Sequence, residues 1–118
     1  MKRIIVIIPF LFLSFVNSDL FSIDKTLEWS DYQGKHSWRD AAGKCESIGM
    51  RLPTIWEFRN AYNSRLSKSW EEKGDSYWTY SEAARSFDDA YCFNIIYGEH
   101  SLSYINVYKH VRCVRYSN

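Results

Sequence analysis

The first eighteen residues constrain everything that follows them. Lys2 and Arg3 precede a thirteen-residue run, Ile4 to Val16, that is apolar except for Pro9 and Ser14. Val16 and Ser18 place small residues at −3 and −1 of a cleavage point before Asp19. This is the layout of a secretory signal peptide. The run is too short for a spanning helix, which needs about 20 apolar residues. The chain is therefore read as a cleaved leader, residues 1–18, and one domain, residues 19–118. Contact with a membrane is expected only through the leader. The destination is the periplasm, the cell surface or the medium.

Export changes how the rest is read. Lys2 and Arg3 are two of the 15 basic residues, so the mature chain keeps 13 against 14 acidic ones, a net charge of −1. Nucleic acid has no field to draw it in, and ligand binding is expected to depend weakly on salt. With 46% hydrophobic and 18% aromatic residues, the chain is neither disordered nor low-complexity. An oxidising compartment permits disulfides. Cys45, Cys92 and Cys113 allow one bridge and leave one thiol over.

Local patterns place the elements. Leu27-Glu28-Trp29 reads as a short strand. Ser37 to Ile48 reads as a helix capped by Ser37 with Asp40 folding back, its apolar face made by Trp38, Ala41, Ala42, Cys45 and Ile48. Gly49 stands where a left-handed terminating residue is wanted. Thr54-Ile55-Trp56-Glu57 is a full capping box, opening a helix from Ile55 to about Leu66 with the stripe Ile55, Phe58, Tyr62 and Leu66. Tyr77 to Tyr80 has strand composition. Ala90 to Ile96 alternates, with Tyr91, Phe93 and Ile95 on one face. Gly98 marks a turn, and Tyr104 to Arg115 forms the last strand region. Strands separated from a pair of consecutive helices define an α+β fold.

Several of these pieces occur together and in order: Leu27-Glu28-Trp29-Ser30, Trp38-Arg39-Asp40-Ala41, Cys45, Arg51-Leu52-Pro53-Thr54 with Glu57, Tyr77-Trp78-Thr79, Gly98 and Val111-Arg112-Cys113-Val114-Arg115. Over residues 26–115 the chain resembles the bacterial Lcl C-terminal-domain family, exported domains of C-type-lectin-like fold. The resemblance implies two helices packed on a small, mainly antiparallel sheet with a long loop region. It implies first and last strands side by side, and a bridge from the helix cysteine to the last-strand cysteine, Cys45 to Cys113. Such a bridge closes 68 positions and is worth about 4 kcal/mol in the chain-entropy picture. Cys92 to Cys113 is the rival pairing. The family implies adhesin-like recognition of a glycan or a protein, with no enzymatic activity. Calcium-dependent lectins carry Glu-Pro-Asn or Gln-Pro-Asp with Trp-Asn-Asp. None of these occurs here, so no metal or other cofactor is expected.

Three candidate chemistries remain. The segment Arg51, Leu52, Pro53, Thr54 and Glu57 is read as a helix cap rather than a site. His36, His100 and His110 share no ligand spacing. Cys92 with His100 defines the alternative of an exported enzyme, and a structural envelope subunit is a second alternative. The favoured reading is a non-catalytic binding module that uses its aromatic excess. Trp70, Tyr80, Tyr97 and Tyr104 are the candidate contacts, with Trp70 exposed in a polar stretch and Trp78 in the core.

Overall fold

The computed structural model describes residues 25–72, 74–82 and 87–117. The leader expected over residues 1–18 lies outside them. Two compact units are distinguished. Lys25–Glu28 with Tyr116–Ser117 form one, where the Ser117 backbone N–H donates to the Thr26 carbonyl (2.8 Å). Trp29–Arg115 form the body.

Among the described residues, seven strands and two α-helices follow in the order β1 (Leu27–Trp29), β2 (Lys35–His36), α1 (Trp38–Ser47), α2 (Ile55–Asn63), β3 (Tyr77–Glu82), β4 (Asp89–Asn94), β5 (Glu99–Tyr104), β6 (Lys109–His110) and β7 (Val114–Tyr116). A 3-10 turn, Leu66–Ser69, follows α2. Strands β1 and β7 form a two-stranded sheet, and the other five are ordered β2-β6-β3-β4-β5. Every pairing in that sheet is antiparallel except β3 with β6.

Adjacent residues of a strand point to opposite faces, and here both faces are covered. Trp78 and Cys92 are register partners, as are Tyr77 and Phe93. Trp78, Ala90 and Cys92 enter a core with Ala41 and Cys45 of α1, Leu52, Ile105, Val111 and Cys113. Tyr77, Phe93 and Ile95 enter a second core with Phe58 and Ala61 of α2 and Trp70. The double covering explains why Tyr77 and Trp78, neighbours in sequence, are both fully buried. The buried Trp78 and the half-buried Trp38 of the first core both keep their indole N–H bonded. Trp78 Nε1 donates to the His36 carbonyl and Trp38 Nε1 to the Thr79 carbonyl, both at 2.8 Å.

The bridge joins Cys45 to Cys113, and Cys92 is a buried free thiol. The capping box at Thr54 forms in full: the Glu57 N–H donates to Thr54 Oγ1 (3.1 Å) and the Thr54 N–H to Glu57 Oε1 (2.8 Å). The expected Ser37 cap does not form, since that side chain makes no capping hydrogen bond. Helix α2 stops at Asn63, three residues early, because Arg65 takes a left-handed conformation (φ 70°) and starts the 3-10 turn. Leu66 therefore leaves the apolar stripe and is exposed.

Candidate functional site

Helix α2 is the element that builds the site. Its N-terminal end is locked by Arg51, whose guanidinium donates two bonds of 2.8 Å to the Glu57 carboxylate. Burial raises the Glu57 pKa, but the Arg51 hydrogen bonds and the Thr54 N–H outweigh it and hold the carboxyl below its usual range. Phe58 stacks on Phe93 with centroids 5.6 Å apart and 9° between planes. The helix is thereby fixed on the sheet, and its last turn lies beside the β4–β5 hairpin.

That hairpin turns through residues 95–98. Asn94 Oδ1 accepts from the N–H groups of Ile96 (2.8 Å) and Tyr97 (3.1 Å), an Asx turn. Gly98 completes it at φ 72°, with the Tyr62 ring so close that a Cβ would sit 2.5 Å from Tyr62 Cε2. Glycine is required twice here, for its positive φ and for the space.

Two hollows open along this junction and share Tyr62 and Asn63. One, of about 520 Å3, runs to Arg65, Lys68 and Ile96. The other, of about 420 Å3, runs to Arg59, Glu99 and His100. Among the described residues, Arg59, Arg65 and Lys68 thus bring three cations to this groove of two adjoining hollows, against one carboxylate, Glu99. Arg59 is positioned by its surroundings: it lies over the Trp56 ring at 5.5 Å and donates from Nη2 to His100 Nδ1 at 3.1 Å. Such placement costs a bound ligand less ordering entropy than a free arginine would.

The sequence-derived candidates scatter. Tyr97, 71% exposed, sits on the hairpin beside the groove. Tyr104, also exposed, is at the far end of β5, where its hydroxyl accepts from Asn106 Nδ2 (2.9 Å). Tyr80 is exposed beside Pro53, whose carbonyl accepts its N–H (2.7 Å), near the opposite end of α2 from the groove. Trp70 corrects the expectation of an exposed contact, being only 6% exposed. It packs against Trp29, Phe58 and Tyr77, and the Arg112 guanidinium covers its face at 4.6 Å. Arg112 is held in turn by Glu72, to which its Nε donates at 2.6 Å, and by the Ser30 carbonyl at 3.0 Å. Burial raises the Glu72 pKa, and the Arg112 bonds bring it below the usual carboxylate range.

Tyr62, Asn63, Arg59, Arg65 and Lys68 were absent from the sequence-derived candidates. Their convergence depends on the hairpin folding against α2, which no local pattern announces.

Cys92 and His100 do not form a dyad. His100 is the register partner of Phe93 and Cys92 of Ser101, so the two side chains leave opposite faces of the sheet. The Cys92 thiol faces the Ser101 hydroxyl and carbonyl at 3.5 Å. Among the described residues no group of three or more His, Cys, Asp or Glu could hold a metal ion. Nor is any described helix long and apolar enough to cross a membrane.

The architecture is that of a C-type-lectin-like fold. The crystal structure of botrocetin matches with a TM-score of 0.60 at 16% identity, covering 80% of this chain and 97% of that one. TC14, a C-type lectin from the tunicate Polyandrocarpa misakiensis, matches with a TM-score of 0.54 at 17% identity, covering 80% of this chain and all of that one. No family model and no curated protein sequence matches the chain.

Proposed function

We propose that this chain is an exported, non-catalytic binding module of the Lcl C-terminal-domain type, and that it holds a glycan at the cell envelope in an adhesin-like manner. The observation that carries this reading is the α2–hairpin groove. An aromatic ring (Tyr62), an amide (Asn63) and three cations (Arg59, Arg65, Lys68) line two adjoining hollows there, of about 520 and 420 Å3. Sugar rings pack on aromatic faces, while their hydroxyls and acidic substituents take hydrogen bonds from amides and guanidinium groups. The bridge between Cys45 and Cys113 supports export, because such bonds persist in oxidising compartments. The signal-peptide reading of residues 1–18, with the remainder as one domain, belongs to the same proposal. A protein ligand is the second reading, favoured by the exposed Trp56 and Tyr97 that flank the groove.

The test is a glycan array probed with the purified protein, with and without a chelator. Binding that survives the chelator and is lost in Arg65→Ser/Lys68→Ser supports the proposal. Binding that requires calcium, or that the double substitution leaves intact, contradicts it.

A further inference from the structure

Strand β5 is the outermost strand of the five-stranded sheet. It pairs with β4 through all six of its residues without a bulge, and five of the six are exposed. An outer strand leaves alternate backbone N–H and C=O groups unpaired, and natural edges are usually blunted by lysine, proline, a bulge or shortness. Glu99-His100-Ser101-Leu102-Ser103-Tyr104 carries neither lysine nor proline, and its one carboxylate, Glu99, stands at the end of the strand. The opposite edge, β2, is only two residues long.

We propose that β5 is a homodimerisation edge, to which a second copy of this chain adds its own β5 antiparallel about a two-fold axis perpendicular to the sheet. The pattern on the α2 side of the strand is self-complementary. His100, Leu102 and Tyr104 share that face, and Leu102 and Tyr104 are about half exposed. With the axis at Leu102, each Leu102 meets its own counterpart and each His100 meets the second copy's Tyr104. A slip of one residue would set the apolar face of one copy beside the polar face of the other.

On the α2 face the charges agree with this register. The His100 end of the strand carries Arg59, bonded to His100. The Tyr104 end lies beside Asp89, its register partner on β4 and on the same face. Antiparallel addition brings the cationic end of each copy against the acidic end of the other, two strand spacings or about 9–10 Å apart. On this face no like charges meet across the seam. The other face opposes Ser101 to Ser103, and Glu99 to Ile105, whose backbone neighbour is Asp88, so the charges favour this register on the α2 face only.

The consequence is functional. A two-fold axis perpendicular to the sheet leaves α2 of both copies on one side, so two grooves face the same surface and can engage a repeating ligand together. A six-residue strand spans only about 17–20 Å, so the contact belongs to the small, exchangeable class of interfaces and the dimer dissociates on dilution.

Sedimentation equilibrium of the chain expressed from its full sequence, from low micromolar to millimolar concentration, tests the proposal. The wild type should pass from monomer to dimer. Leu102→Lys and Leu102→Glu should each weaken dimerisation roughly tenfold or more, because like charges then meet at the axis. An equimolar mixture of the two should dimerise again. A wild type that stays monomeric at millimolar concentration overturns the proposal, as does a mixture that dimerises no better than either variant alone. Monomeric wild type that captures a synthetic extended peptide along β5 also overturns it, reassigning the edge to a peptide ligand.

Discussion

At the scale of single residues, three acidic side chains tie the body together. Glu57 is held by Arg51 and the Thr54 N–H, Glu72 by Arg112, and Asp75 by the Ser76 N–H with Lys109 and Lys35. For all three, burial pushes the pKa up but the hydrogen bonds and cations bring it below the ordinary value. A carboxylate with a depressed folded-state pKa stabilises the fold above its unfolded pKa, and that stability is lost as pH falls through the folded pKa. The stability these three groups contribute should therefore be constant above about pH 5 and should decline below about pH 4; denaturant titrations across acid to neutral pH check this. Thr54→Ala removes one cap acceptor and should cost about 1 kcal/mol without changing ligand affinity. Trp70→Ala should cost about 3–5 kcal/mol and lower the melting temperature sharply. The last expectation reverses what the sequence supports. The polar stretch Ser67 to Gly74 gives no sign that Trp70 is covered, because its cover comes from Arg112, Phe58 and Trp29, all distant along the chain. The Thr54 cap was legible, because donor and acceptor lie three residues apart.

At the scale of elements, the same distinction between local and distant causes holds. Helices α1 and α2 were legible from apolar spacing and end signals. Strand β5 was not, since Glu-His-Ser-Leu-Ser-Tyr has no β-branched residue and a single aliphatic one, Leu102, and exists by pairing with β4. The stretch Tyr104 to Arg115 breaks into β6 and β7, because Val111 and Cys113 bond backbone to backbone with Gly34 and Ser30 instead of continuing one ladder. The groove arises where two such elements meet, and Gly98 sets their spacing. Gly98→Ala must either push the Tyr62 ring aside or open the hairpin, and it is strained by its positive φ in any case. It should destabilise by at least about 1 kcal/mol and should also reduce ligand affinity, whereas Gly43→Ala, which meets nothing within 4 Å, should stabilise α1. Thermal melts and titrations of the two variants separate these effects.

At the scale of the whole molecule, one covalent bond links the α1 core to the last strand segment. Cys45→Ala should cost about 2–5 kcal/mol, and mapping of the unreduced protein should give a Cys45–Cys113 peptide with Cys92 unlinked. Residues 19–118 carry a near-zero net charge, yet Arg59, Arg65 and Lys68 bring a local excess of cations to the groove, and under the proposed function this local charge governs binding. Affinity should fall between low and physiological ionic strength, as exposed charges are screened within about 8–10 Å. On the proposed function, a ligand is held, without metal, between α2 and the β4–β5 hairpin. The most direct test of that function is the backbone amide NMR spectrum recorded with chelator present while a glycan retained on the array is added. Shifts should concentrate at Arg59–Lys68 and Ile95–His100 and leave Tyr80 unmoved. Shifts confined to other surfaces, or binding that appears only when calcium is restored, would contradict it.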